Sequence, residues 1–497
     1  MKKIFIIFVC ITGISSVSCK NELNLAPVSE ISNTSFWKTE SDAEGANVGM
    51  YTALRGESSS NLFMWGESRS DAMGPNVGSP VFQNWDQNSL TPTNSAAIFT
   101  GAPTSWGGMY SLVHTCNLIL HYVPGISFTN ETKKNNILAQ AHAMRAFAYF
   151  VMAKTWGDLP LITEPTIDLG NVQRERSPVA DIFKLIKEDI DAAVNLFPDN
   201  TFRNGRDMWS LPSTNALKAD VYLWTGKRMN GGDADFTTAL NALNAIDGVD
   251  VSLLPNFGDV FNYDNKANKE ILFAIRWSYE ESPGGTMYAY MYMLSNFIPP
   301  SVDAETVAAI EPTAGAPFWS PSAIARNKFT ADDTRKKASM IELYEQGPGG
   351  TKTFYAAVVS KYNGAVIAGQ RYFIDDYIIY RYADVLLMKA EAKNALSQDP
   401  SFEINEVRKR AYGANYASHV YANAGKVQND VAILDERFRE LMFEGKRWWD
   451  LVRFGKAFEL VPSLQTQAGK DYLLLFPIAP STLSLETKVK QNPGYGN

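Results

Sequence analysis

Four histidines, two Asp-Asp pairs and two aromatic-rich irregular stretches are the places in this chain where side chains could do chemistry. His114 and His121 stand seven residues apart, a spacing that can align two rings on one helix. No glutamate or third histidine accompanies them, so a zinc-type ligand set is not built, and these two read as satisfied helix-face residues, like His142 and His419. Asp332-Asp333 and Asp375-Asp376 invite comparison with the acid and base of a glycosidase. Neighbours in sequence point in different directions, however, and that chemistry needs two carboxyls facing across a sugar. The chain carries no Gly-x-Ser-x-Gly elbow, phosphate-binding loop or dinucleotide fingerprint. Catalysis, a metal centre and a cofactor are therefore not expected.

The aromatic stretches offer non-covalent chemistry instead. Residues 56–105 show no sustained period, are rich in Gly, Ser, Asn, Pro and Thr, and yet carry Phe63, Trp65, Phe82 and Trp85. Long loops inside a compact body are functional or disordered, and disordered segments lack aromatics, so function is the better reading. A sugar ring has a C–H face that stacks on an aromatic ring and an equator of hydroxyls that carboxylates, amides and guanidiniums grip. Trp65, Arg69, Asp71, Asn84 and Trp85 supply that mixture in the first stretch, and Tyr288, Tyr290, Tyr292 and Trp319 in the second. Trp85 and Trp319, in Gly- and Pro-flanked loops, are the first choices for stacking, with Trp65 and Tyr290 next. Trp277 ends an expected strand and is assigned to packing.

Helices must position these loops. The period of apolar residues predicts helices from Phe36-Trp37 through Arg55, over 106–122, 132–156, 179–196, 213–225, 236–246, 377–396 and 402–410. A buried strand is expected over Glu270–Trp277. Ala and Tyr recur at interior positions of paired helices, which resembles degenerate tetratricopeptide repeats, whose pairs stack to close their apolar faces. The stretch Glu436–Lys456 (ERFRELMFEGKRWWDLVRFGK) reads as an amphipathic helix broken near Gly445. Glu436 with Arg439, Glu444 with Arg447 and Asp450 with Arg453 each stand three apart on its polar side. Trp448 and Trp449 read as an anchor, and since neighbours on a helix differ by about 100°, only one of them is expected to point fully at the core.

Composition sets the bounds. At 497 residues, 45% hydrophobic and 20% charged, the chain can bury a large core, and a net charge of −7 gives no basic surface for nucleic acid. Lys2-Lys3, the apolar run Ile4–Ile14, then Ser15, Ser16 and Ser18 before Cys19, resemble a lipoprotein signal in which Cys19 is acylated and becomes the first residue. Residues 19–34 then form a polar tether. Cys10 would leave with the signal, so Cys116 remains alone and no disulfide is expected.

The block Glu436–Lys456, with Arg381–Ala392, Asn405–Gly413, Asp333-Thr-Arg335, Phe476–Pro480 and Gln491–Tyr495 in order, closely resembles the SusD/RagB family. That resemblance covers nearly the whole of the chain after Cys19. It implies a mostly α fold: a right-handed stack of helix-turn-helix, tetratricopeptide-like repeats carrying long irregular loops and a few short strands. It implies a single body over 35–497, with an N-terminal part of about 35–250 and a C-terminal part of about 251–497. The implied role is a non-catalytic, lipid-anchored nutrient binder on the outer surface of the outer membrane. It would capture an oligosaccharide or peptide and act as the lid of a SusC-like, TonB-dependent barrel. A helical-repeat scaffold that binds only proteins, and a surface glycoside hydrolase, are the alternatives. The family motifs assign no ligand residue, so the nine loop residues rest on composition alone.

Overall fold

The structure, a computed structural model, describes residues 36–77, 83–91, 104–166, 173–281 and 286–496, with only the backbone of 83 and 84. The signal segment, Cys19 and the tether lie outside the described residues. Helix α1 (Glu40–Ser58) opens on a capping box in which Thr39 and Asp42 bond each other's backbone N–H. The short α2 (Asn61–Gly66), β1 (Met73–Pro75) and the single turn α3 (Gln83–Asp86) follow, so the stretch expected to be irregular holds regular pieces. Next come α4 (Gly107–Tyr122), α5 (Glu131–Trp156), α6 (Val179–Leu196), α7 (Leu211–Arg228) and α8 (Gly232–Asn244). α5 stops at Gly157, whose φ of 76° is open to glycine without strain. α7 continues past Gly226, because its Ser210–Ser213 capping box starts the helix two residues before Ser213 and packing carries its last turn to Arg228.

The C-terminal half begins with β2 (Ile271–Ile275), β3 (Trp319–Pro321), β4 (Met340–Gln346), β5 (Lys352–Val359), β6 (Ala365–Ile367), β7 (Gln370–Tyr372) and β8 (Tyr377–Arg381). These form two-stranded antiparallel ribbons: β1 with β3, β2 with β8, β4 with β5 and β6 with β7. Helices α9 (Tyr382–Ala395), α10 (Ser401–Tyr412), α11 (Lys426–Leu441), α12 (Arg447–Arg453) and α13 (Pro480–Leu485) complete the chain. The helix expected from Tyr377 begins only at Tyr382. Tyr377–Arg381 is wholly buried, rich in β-branched and aromatic residues, and pairs with β2 instead. From α4 to α8 each helix packs on the next, α8 then packs on α9, and α9 on α10 and α11. This is a mostly α stack of helix pairs with a few short strands, as the sequence leads one to expect.

The break in the organising stretch is sharper than a bend. α11 ends at Leu441, Phe443 and Gly445 take φ of 67° and 72°, and α12 starts at Arg447. A Cβ on Gly445 would lie 2.1 Å from the Tyr377 hydroxyl, and one on Gly66 would lie 1.8 Å from the Gly445 carbonyl oxygen. Two glycines therefore let α2 meet the turn backbone to backbone. Glu67 finishes the contact: its carboxylate accepts from the N–H groups of Phe443 (2.8 Å), Lys446 (3.0 Å) and Arg447 (3.1 Å).

Both tryptophans are buried, Trp448 completely and Trp449 to 6% exposure, which corrects the expectation that only one would point fully at the core. α12 is clamped on two sides. Trp448 lies under the Arg69 guanidinium, 4.3 Å from the ring centre, while Trp449 meets Lys154 of α5 at 5.2 Å and Trp224 of α7 at 6.4 Å. The polar side of this segment is equally interior. Glu436–Arg439 and Asp450–Arg453 pair as their spacing predicts, at 3.0 and 2.9 Å. Glu444 and Arg447 do not pair with each other. Glu444 goes to Arg381 and Lys361, and Arg447 forks onto Asp71, because in the interior partners come from other segments rather than from the next turn.

Candidate functional site

The residue pairs that hinted at catalysis are spent on structure. Asp333 holds Arg335 in a two-pronged ion pair, and Asp332 bonds His419 at 2.7 Å. Asp376 takes Arg276 (3.0 Å), Lys266 (3.1 Å) and the Trp277 N–H (3.0 Å). Asp375 accepts from the Gly364 N–H at 2.9 Å, and burial pushes its carboxyl up to about 7. The void beside Asp375 and Asp376 is about 20 Å³, smaller than a sugar ring. His142 bonds Asp189 at 2.6 Å, and Arg145 forks onto the same carboxylate. Cys116 is a fully buried free thiol, 3.5 Å from the Met50 sulfur.

The loop residues proposed for stacking are, with few exceptions, turned inward. Trp65 is fully buried with its edge on Trp156 (5.2 Å), and Trp85 is buried against Phe476 (5.5 Å). Tyr288 stacks on Tyr362 at 4.1 Å and donates to the Phe443 carbonyl, while Tyr292 donates to the Ile310 carbonyl; both are buried. Trp319 is fully buried beside Phe63. Arg69 donates to Asn88 and to the Leu473 and Leu475 carbonyls, and Asp71 receives both prongs of Arg447 at 2.7 and 2.8 Å. Asn84 sits on α3, and its side chain lies outside the described residues. An exposed ring face is what stacking requires, and Trp65, Trp85, Tyr288, Tyr292 and Trp319 present none. The physical reason is that a long segment without a hydrogen-bonded ladder is held by its large rings and by charges gripping the interior.

Tyr290 differs in being only half-buried, and it has a neighbour that the sequence reading passed over. Its ring lies nearly parallel to that of Phe318, centroids 5.7 Å apart and planes 15° apart, and both are half-buried. The backbone fixes this pair: Phe318 N–H donates to the Tyr290 carbonyl at 3.1 Å and Ala316 N–H to the Ala289 carbonyl at 2.7 Å. β1 runs alongside, Pro75 opposite Trp319. Asn76 is tied by its amide to the Trp319 and Ala357 carbonyls, and Val77 is exposed. Trp319, Ser320 and Pro321 of β3 are all buried, while Phe318, just before the strand, is only half-buried. No period in the sequence marks this difference between neighbours. The Tyr290–Phe318 pair forms an apolar shelf of the kind that can take the C–H face of a ring.

With this geometry in hand, comparisons with known proteins are specific. Residues 342–495 match the model of the SusD family, and residues 44–223 match a model described as starch-binding associating with outer membrane. SusD-like protein P38 of Formosa agariphila is 30% identical, the match covering 99% of either chain. B. fragilis NanU has a solved structure that superposes with a TM-score of 0.85 at 34% identity, over 95% of this chain and 100% of that one. A shorter match, 27% of this chain and 24% of the other, is 30% identical to the starch-binding protein SusD of Bacteroides thetaiotaomicron.

Proposed function

The chain belongs to the SusD family, and from that premise we propose that it captures an oligosaccharide at the cell surface, Tyr290 and Phe318 forming its stacking shelf. A carbohydrate-binding role in nutrient uptake is supported by one relative named as a starch-binding protein and by a matched family description of starch-binding associating with outer membrane. The parallel, half-buried ring pair is the observation that carries the site. Its backbone is already tied in place, so little ordering is lost on binding.

The finer reading has four parts. Cys19 carries the lipid anchor on the outer face of the outer membrane, a reading supported by the basic, apolar and small-residue run before it. The partner is a SusC-like, TonB-dependent barrel, over which the body acts as a lid. Residues 35–497 move as one unit, since the largest buried apolar cluster draws on both halves of the chain. No turnover is needed: Asp332, Asp333 and Asp376 are held by His419, Arg335, and Arg276 with Lys266, and Asp375 by the Gly364 N–H.

A binding screen of the full chain against a glycan panel, with peptides included, identifies the ligand. Alanine at Tyr290 or at Phe318 should then weaken binding by roughly ten- to a hundredfold, about 1–3 kcal/mol, with the unfolding midpoint unchanged. Normal binding by both variants would move the site elsewhere. Binding of peptides alone would replace the oligosaccharide while leaving the lid role intact.

A further inference from the structure

A second concave site lies away from the ring shelf and shares none of its residues. It is a cleft of about 730 Å³ where the start of α4 meets the segment 160–166, Arg174 and α13. Ligand pockets generally run from roughly 300 to 1,000 Å³, so it can hold a small molecule.

Its walls are pinned from behind. Tyr110 donates to the Pro160 carbonyl at 2.6 Å, Tyr149 to the Ile162 carbonyl at 3.0 Å, and Asn117 reaches the carbonyls of Ile162 and Glu164. The Ala479 N–H donates to the Thr104 carbonyl at 3.2 Å, which seats the start of α13. Trp106 and Tyr110, edge to face at 5.8 Å, make one wall. The Thr166 N–H donates to Nδ1 of His114 at 3.4 Å, which leaves the ring proton on Nε2 when the imidazole is neutral.

The charges are what point to a ligand. Arg174 and Glu486 both line the cleft and are half-buried, and among the described residues neither forms an ion pair or a side-chain hydrogen bond. Another large cleft among the described residues, about 490 Å³ between α1, α5 and residues 203–208, behaves differently. There Lys133 pairs with Glu40 at 2.7 Å and Arg203 pairs with Asp199, so its charges are already used. A half-buried charge loses hydration without gaining a partner, and one bound group of opposite sign restores the balance. In the larger cleft one cation and one anion remain open at once. A neutral glycan would leave both uncompensated, and a simple carboxylate or amine would leave one.

We infer that this cleft is a second binding site, for a small zwitterion whose carboxylate meets Arg174, whose ammonium meets Glu486 and whose body lies against Tyr110. The inference stands whether or not the ring shelf binds glycans. Calorimetric titration of the full chain tests it, with L-phenylalanine and glycyl-L-phenylalanine as probes of two charge spacings. N-acetyl-phenylalanine (carboxylate only), phenethylamine (ammonium only) and maltose serve as controls. At least one zwitterion should bind about tenfold or more tightly than either singly charged control, and Arg174→Gln and Glu486→Gln should each weaken it about tenfold. Tyr290→Ala should leave this binding unchanged. Thermal unfolding of the two glutamine variants should match wild type, because neither side chain is packed in the core. Absence of binding at millimolar concentration, equal binding of a singly charged control, or indifference to either glutamine variant would each overturn the assignment.

Discussion

Replacing Arg381 tests the reasoning about the interior most directly. The guanidinium is fully buried and donates to Glu444 twice (2.8 Å each), to Glu270 (2.8 Å), and to the Glu440 carboxylate and carbonyl (2.7 Å each). In Arg381→Met, Glu444 would keep only Lys361, Glu270 would keep Arg410 and the Leu254 N–H, and Glu440 would keep Arg410 and Arg335. Breaking a buried ion pair from one side typically costs about 3–5 kcal/mol, because the stranded charge cannot be rehydrated. The same cations act on the Glu440 carboxyl: burial alone would raise it, but Arg410, Arg381 and Arg335 together more than offset this and bring it from 4.5 down to about 2. The sign follows: a depressed carboxyl stabilises above pH 4.5 and loses that contribution as pH falls toward 2. The deficit of Arg381→Met should therefore be largest near pH 7 and shrink below pH 4.5. Urea unfolding followed by tryptophan fluorescence at pH 7 and pH 4 measures both. Arg381→Lys should recover part of the loss, since an ammonium restores charge but not the planar fork. A deficit under about 1 kcal/mol at pH 7, or one that grows on acidification, would refute the ion-pair account.

Trp448→Ala and Trp449→Ala should both destabilise, by roughly 3–5 kcal/mol each, because α12 is clamped on two faces; chemical denaturation of the two variants would expose a silent partner. Asp375 has its carboxyl raised by burial from 3.8 to about 7, so its contribution is full below pH 3.8 and is lost as pH rises through 7. Asp375→Asn should lose less stability than wild type between pH 5 and pH 8, read as unfolding midpoints at the two values. Cys19→Ala should shift the chain from the membrane fraction to the soluble fraction with its body still folded, as judged by fractionation and circular dichroism. Recovery of the unaltered protein without detergent would argue against the lipid anchor.

The helical frame was legible where an apolar period ran long enough. Val179–Leu196 is found with the same bounds, since its apolar stripe repeats over five turns between two prolines. Tyr377–Arg381 was misread for a related reason. A short buried strand and the first turn of a buried helix are both continuous apolar runs, and only the partner strand, about a hundred residues earlier, decides between them. The break at Gly445 was visible as glycine in a helical period, but its cause, the approach of Gly66, is a contact across most of the chain.

The candidate site shows where composition stops informing. Trp and Tyr content announced that rings mattered in both loops, yet a ring facing a ligand and a ring closing a loop onto the core have the same letter. Which one occurs depends on backbone direction at that residue. Phe318 and Trp319 make the case: the larger ring was the better guess by type, yet Trp319 is buried with Ser320 and Pro321 while the smaller Phe318 is only half-buried. The charges followed the same logic. Arg69 and Asp71 sit in a polar loop as sugar-gripping residues would, but Arg447 and the carbonyls of Leu473 and Leu475 reach them first. Those contacts tie the loop to α12, and the loop leads directly into β1, which borders the Tyr290–Phe318 shelf. The same anchors that ruled these residues out as ligand contacts thus hold the shelf in position. A variant that loosens α12 should in consequence weaken ligand binding in step with stability, whereas a shelf variant should weaken binding alone.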